Sequence, residues 1–339
     1  MTPSRREGAP LLAALVALIL FAALGSLLVG PANLPARQVL AALAGGADPL
    51  TRDIVFLIRA PRTVLALLIG AMLGLAGAAL QGLLRNPLAD PAVIGTSSSA
   101  ALGAVAALYF GLARGFPLAL PLMAVAGAVL GLAALLPIAR RGEGPQTLIL
   151  GGVAISALAS AGVSLALNLA PNPYAVSEIA FWLLGSLTDR SFEHVFLAAP
   201  LIVLGAGMIA WQARALDGLA LGEDAARSLG FDLHRVQAAL VGGVALGVGA
   251  AVAVSGAIGF VGLIAPHLVR PFTDGRPSRA LIPSALAGAA LLGLADLVVR
   301  LVPTDTELRL GVVTAFLGAP VFIFILLHGS SRAGAGSQA

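Results

Sequence analysis

The sequence predicts an all-α polytopic membrane protein of about ten transmembrane helices, and three observations carry that prediction. The first is composition: 59% of the 339 residues are hydrophobic and the mean hydropathy is +0.99, beyond the range of a soluble globule. The second is charge spacing. Charged residues form short clusters separated by uncharged runs of about 17 to 25 residues, the length of helix that crosses ~30 Å of hydrocarbon. The third is small-residue content. The chain carries 41 glycines, and Gly70-Gly74, Gly127-Gly131 and Gly243-Gly247 fall at the GxxxG spacing by which membrane helices pack closely.

Taken in order, Arg5 and Arg6 precede the uncharged run Pro10 to Val29. No convincing small-x-small cleavage site follows, and Pro31 and Asn33 mark a loop, so the run is read as span one and not as the competing signal peptide. A polar connection, Gly30 to Ala60, leads into span two, Arg62 to Leu84. The turn Arg85 to Pro91 holds two prolines that stop the helix. Span three is Ala92 to Leu112 and span four Phe116 to Ile138; a basic turn, Arg140 to Pro145, precedes span five, Thr147 to Leu169. Residues 171–194 form an outer interfacial segment with Tyr174 and Trp182 at headgroup depth, because the apolar core Ile179 to Leu184 is too short to cross. Span six is Val195 to Trp211. The uncharged run Val236 to Val269 would reach ~51 Å as one helix, so it is expected to break near Ser255-Gly256 and Gly259 into spans seven (Val236 to Val254) and eight (Ile258 to Val269). Span nine is Ala280 to Val299 and span ten Leu310 to Leu327, and the whole chain reads as one permease-like transmembrane domain.

Composition also removes mechanisms. No cysteine means no disulfide, thiolate metal site or cysteine catalysis. All 20 basic residues are arginine, so Schiff-base chemistry and the lysine-dependent phosphate loop are absent. The four histidines are scattered without metal-ligand spacing, and no cofactor is expected. The net +4 comes from arginines in loops and does not point to nucleic acid. Twelve of the 20 arginines fall on the side of the termini, which places both termini in the cytoplasm of a bacterial inner membrane.

Between spans six and seven lies a charged island, residues 214–235, in which seven of 22 residues are Asp, Glu or Arg. Leu221, Ala225 and Leu229 recur at i, i+4 and i+8, with Gly222 placed to open a short helix and Gly230 to end it. A docking surface for a soluble partner and an ordinary solvated helix are both compatible with that pattern. In span five, Gly152, Ser156, Ser160, Ser164 and Asn168 repeat every four residues as one slowly drifting stripe. Such a stripe serves either close helix packing or a polar pathway wall that binds weakly enough to release its cargo. Asp296 and Arg300 stand four apart in the favourable order for a helical pair; a proton-relay acid is the alternative for Asp296.

Several segments together resemble one family, the permease subunits of ABC importers for ferric siderophores, haem and cobalamin. They are RAPRTVLALLIGAMLGLAGAALQGLLRNPLADPAVIG (Arg59 to Gly95), FWLLGSL, LGEDAARSLG, SGAIGFVGLIAPHLVR (Ser255 to Arg270) and LGVVTAFLGAPVF (Leu310 to Phe322). Arg309, where the family often has proline, and Gly144-Pro145-Gln146, in place of a hydroxyl-rich turn, depart from the pattern. The resemblance implies a dimer, of two copies or with a homologous permease, two ATPase subunits and a soluble binding protein. It also implies roles. Leu221, Gly222, Glu223, Asp224, Ala225, Ala226, Arg227, Leu229 and Gly230 couple to the ATPase, and the span-five stripe lines the pathway. Asn86, Pro87, Gly144, Pro145 and Gln146 form the inner gate. Arg59, Arg62 and Arg300 run against the positive-inside trend; they are expected at the outer rim, where guanidiniums receive carboxylates of the binding protein or act as interfacial anchors. The expected cargo is a ferric siderophore, with cobalamin or haem as alternatives. The rival from another class, an ion-coupled secondary transporter, needs a mid-membrane carboxylate, and spans one to eight hold none.

Overall fold

The computed structural model describes residues 8–116, 118–141, 145–302 and 307–333. Among them every regular element is helical. In chain order these are α1 (Gly8–Leu28), α2 (Ala36–Leu43), α3 (Pro49–Asp53), α4 (Ala60–Leu84), α5 (Thr96–Tyr109), α6 (Leu112–Gly115), α7 (Ala119–Arg141) and α8 (Pro145–Asn168). There follow α9 (Pro173–Leu183), α10 (Phe192–Trp211), α11 (Ala213–Ala220), α12 (Glu223–Ser228), α13 (Leu233–Ser255), α14 (Val261–Val269), α15 (Pro277–Leu301) and α16 (Leu310–Ala333). A helix stands at each of the ten expected spans. Seven are long and apolar enough to cross a membrane among the described residues, namely α1, Pro49–Leu84, α7, α8, α10, α13 and α15.

Three spans differ from the expectation, each for a backbone reason. Span two does not begin at Arg62. It is the end of a 36-residue continuous helix, Pro49–Leu84, that starts at an Asp48 cap whose carboxylate accepts the Thr51 N–H at 3.0 Å. Pro61 fails to stop it because the turn before the proline, Ile54–Arg59, is wound as π-helix, with the Ala60 N–H reaching back to Val55. The wider turn makes room for a ring that would strike an ordinary α-helical carbonyl. Span three is shorter, a 3-10 turn at Pro91–Ile94 followed by the 14 residues of α5. Span eight is a half-helix of nine residues. The break before it falls at Gly256, whose φ of +70° favours glycine, and an irregular stretch follows to Phe260. Non-helical backbone is tolerated at membrane depth only where protein or a water-filled cavity surrounds it. Here Gly256 and Ile258 are buried and Gly259 is exposed, and the helix resumes at Val261 with Val261 to Pro266 all buried. The last carbonyl of α13, on Ser255, accepts the Ser186 N–H at 2.7 Å.

The GxxxG pairs are the places where backbones meet. Gly70 and Gly74 of α4 lie on Gly288 and Ser284 of α15. Gly127 and Gly131 of α7 lie on Ser99 and Gly103 of α5, and Gly243 of α13 lies on Gly205 of α10, where a Cβ would fall 2.7 Å from the Gly205 carbonyl oxygen. Close contact of this kind replaces the hydrophobic drive that helices lack in lipid. It places α4 and α13 at the centre of the bundle and leaves α1, α7, α8 and α10 as an outer ring with large apolar side chains exposed. Gly74→Val is expected to lower thermal stability by about 2 kcal/mol through overpacking, read as a lower melting temperature in detergent. An unchanged melting temperature would show that α4 and α15 part easily.

Candidate functional site

At the end expected to face outward, the C-terminus of α1 meets the start of α4 and the end of α15. The last carbonyls of α1 have no partner within the helix and carry the negative end of its dipole. Arg59 Nη1 donates to the carbonyls of Leu27 (2.8 Å) and Leu28 (2.9 Å), and Arg300 Nη1 donates to that of Ser26 (2.8 Å). Arg300 Nε also donates to Asp296 Oδ2 at 2.9 Å, the helical pair anticipated from the spacing. Arg62 Nε takes the other oxygen, Asp296 Oδ1, at 2.8 Å, and its Nη2 bonds Glu307. The Thr188 hydroxyl donates to the second Glu307 oxygen at 3.0 Å. Burial works against the Glu307 charge, but the Arg62 contact outweighs it and holds the carboxyl below the usual carboxylate range.

The three arginines therefore converge as expected, but they are not rim-exposed. Arg59 is 3% and Arg62 9% exposed, and Asp296 is fully buried. The orphan carbonyls of α1 and the two carboxylates draw the guanidiniums inward. Three cations and two anions leave the cluster one positive charge in excess, residing on Arg59, which has no carboxylate partner among the described residues. Charge reversal at Arg59 or Arg300 would set a carboxylate against these carbonyls, so it does not report on docking alone. Glu307 was invisible to sequence reasoning, because no spacing rule relates it to Arg62, 245 residues earlier.

At the opposite end the charged island folds as two short helices. Gly222 (φ +112°) opens α12, and Gly230 (φ +87°) ends it in a Schellman turn, with Phe231 N–H to Ala226 O at 3.2 Å and Gly230 N–H to Arg227 O at 2.9 Å. Leu221 and Leu229 point outward, 74% and 61% exposed. Ala226, expected on the coupling surface, is instead fully buried, beneath α12 and against Gly218. Glu223 joins Arg227 at 3.3 Å and Arg85 at 3.7 Å, so α12 is tied to the end of α4. That end is capped by Arg85 itself in a left-handed conformation, and Asn86 Oδ1 accepts the Leu88 N–H at 2.9 Å in the turn beyond. Asn86 and Pro87 are exposed there. Gln146 is exposed in the first turn of α8, which begins at Pro145; Gly144 lies outside the described residues.

The α8 stripe divides. Gly152 is packing, since a Cβ there would stand 2.7 Å from the Ile94 Cα, and Ser156 Oγ donates weakly to Ala92 O at 3.4 Å. Ser160, Ser164 and Asn168 are exposed on the protomer. The drift of a four-residue repeat around a 3.6-residue helix carries the stripe from the packed side to the open side. Beneath α9 lies an outer cavity of about 520 Å³, lined by Trp182, Thr188, Arg190, Ser255, Glu307 and Arg309 among others. Sequence reasoning missed it because its walls come from five separate stretches of the chain.

The sequence matches the FecCD transport family over residues 17–328. It is 42% identical over 292 residues to the uncharacterized ABC transporter permease protein YvrB of Bacillus subtilis, covering 84% of this chain and 81% of that one. It is also 42% identical over 284 residues to the vitamin B12 import system permease protein BtuC of Vibrio cholerae, covering 82% and 84%. A solved structure described as an inward-facing metal-chelate type ABC transporter superposes with a TM-score of 0.84 at 32% identity, over 94% of this chain and 99% of that one. The bundle, its glycine contacts and these matches agree, and the chain belongs to the FecCD transport family, as an ABC transporter permease subunit that is not itself an enzyme.

Proposed function

We propose that this chain is one half of a dimeric importer that carries a metal chelate inward across the bacterial inner membrane, with both termini cytoplasmic. Two separate ATPase subunits supply the energy, and a soluble binding protein delivers the cargo at the outer face. The observation that carries the coupling half of this reading is α12. Two positive-φ glycines bracket it, Leu221 and Leu229 stand exposed on an otherwise charged surface, and Glu223 links it to the gate turn at Arg85-Asn86-Pro87. A partner that moved α12 would move that turn. The secondary-transporter reading loses ground on Asp296, whose two oxygens are both held by arginines and are not free for a coupling ion. Reconstituted alone, the chain is expected neither to hydrolyse ATP nor to accumulate cargo, and with its ATPase and binding protein to support both. Gradient-driven uptake by the lone chain would overturn the importer.

Two features support a pathway along α8. Ser160, Ser164 and Asn168 are open on the protomer, and small hydroxyls let a bulky hydrophilic cargo leave as well as enter. Because Ser160 and Ser164 are exposed on the protomer, Ser160→Leu with Ser164→Leu should spare membrane yield and basal ATPase activity while reducing uptake at least about tenfold, a barrier of ~1.4 kcal/mol. Undiminished uptake would assign this face to lipid. The binding protein is received at the outer arginine corner by exchange: an incoming carboxylate replaces Glu307 on Arg62, the least buried pair of the network. The similarity to vitamin B12 permeases favours cobalamin over a ferric siderophore or haem as cargo, and ligand titration of the cognate binding protein decides among them.

A further inference from the structure

A second cavity, of about 360 Å³, opens at the cytoplasmic ends of α4, α14 and α15. Its lining includes the side chains of Arg85, Arg270 and Arg276, with Gln81 and Thr273, and no carboxylate among the described residues. The nearest acids are engaged elsewhere. Asp217 accepts the Ser278 N–H (2.9 Å) and hydroxyl (2.6 Å), Asp274 is paired with Arg279, and Glu223 is shared with Arg227, reaching Arg85 only at 3.7 Å. Arg270 is half-buried, and the one hydrogen bond of its guanidinium among the described residues goes to a neutral group, Gln81 Oε1 at 2.7 Å. Gln81 is itself buried and faces the carbonyls of Ala89 and Leu263 through its amide nitrogen, which fixes its oxygen toward Arg270. Burial lowers the Arg270 pKa with no anion to offset it. The Arg270 guanidinium, held by a buried amide at a cavity that two further arginines line, has no carboxylate partner among the described residues.

We infer that this cavity binds a phosphate-bearing anion, held by the guanidiniums of Arg85, Arg270 and Arg276, with Gln81 as the positioning residue for Arg270. Phosphate matches planar guanidinium donors, and several of them converging outweigh single-point charge contacts. The volume fits a phosphate with a small polar substituent. Such a group can come from the headgroup of an anionic phospholipid or from soluble phosphate. The flanks of Arg270 favour the lipid: Leu268 and Phe272 are apolar and 48% and 53% exposed, where acyl chains would lie. This inference does not depend on α12 docking an ATPase.

The test uses the full chain in nanodiscs of phosphatidylcholine, with and without phosphatidylglycerol, read by native mass spectrometry and thermal unfolding. Arg276→Gln removes an exposed side chain with no hydrogen bond or ion pair among the described residues, so its fold is preserved; Arg270→Gln with Arg276→Gln removes the deeper donor too. Wild type is expected to retain phosphatidylglycerol and to unfold at higher temperature in its presence, with both variants weakened, the double by about tenfold or more. If inorganic phosphate in phosphatidylcholine discs raises the wild-type melting temperature and phosphatidylglycerol is not retained, the site stands and its source is soluble. The same response to all three media, or variants that retain phosphatidylglycerol like wild type, overturns the site. So does an Arg276→Gln variant that loses ATPase assembly with every anion response unchanged, because a protein carboxylate then fills the cavity.

Discussion

Asp296→Asn is expected to be among the most destabilising single substitutions in the chain. The wild-type carboxylate is fully buried and bonded by two arginines, at 2.8 Å from Arg62 and 2.9 Å from Arg300. Asparagine keeps the shape and one acceptor oxygen but loses the charge, so one guanidinium retains only a neutral hydrogen bond and the other faces the amide NH2, donor against donor. Removing one partner of a buried ion pair costs about 3–5 kcal/mol. Against a total stability of roughly 5–15 kcal/mol, that should lower the melting temperature and reduce the membrane yield severalfold. Removing both members of the pair is milder, because no uncompensated charge stays behind. Asp296→Leu combined with Arg300→Leu should therefore recover part of the loss, and a double-mutant cycle in detergent measures the coupling. A wild-type melting temperature for Asp296→Asn would mean that water already reaches this corner and screens it.

Leu229→Glu should leave the fold intact and disconnect the ATPase. Leu229 is exposed at the last turn of α12, so the substitution touches nothing inside the protomer and should stay within about 0.5 kcal/mol of wild type. In a docked complex the same carboxylate would be desolvated without a partner. A penalty of ~3 kcal/mol would weaken association on the order of a hundredfold. Ala226→Glu provides the contrast: Ala226 is fully buried beneath the helix, so a carboxylate there should unfold the island and lower yield. Gly222→Trp is a poorer probe, because at φ +112° any side chain strains the turn whether or not a partner binds. Co-purification with the ATPase subunits and uptake in proteoliposomes separate the variants. Normal assembly and uptake by Leu229→Glu would remove the docking role from α12.

Some of this was legible before any coordinates. Charge-free runs, one of them split at its glycines, located a helix at each of ten places, because a charged side chain is costly within the hydrocarbon. A run too long for one span and an amphipathic pattern flanked by glycines let the break at Gly256 and the bracketing of α12 by Gly222 and Gly230 be placed from sequence, since glycine adopts positive φ without strain. Close-packing glycines at four-residue spacing identified the surfaces that meet, and Asp296 with Arg300 followed from helical geometry. The lengths of spans two, three and eight were not legible, because a π turn ahead of Pro61 and a 3-10 turn at Pro91–Ile94 are responses to neighbouring backbone.

What only the tertiary structure decided is which side of each element faces protein. In a soluble protein polarity answers that question. In a bilayer the lipid-facing and protein-facing sides are both apolar, so periodicity groups residues on a face without saying what the face touches. Hence the α8 repeat read as one stripe but is half packing and half open surface, and Ala226 read as contact surface but lies beneath it. The outer arginines show the same limit for charge. Sequence determined that Arg59, Arg62 and Arg300 lie near one end of the bundle; the fold brought the carbonyls of α1, Asp296 and the distant Glu307 to them and made that corner a buried ion network.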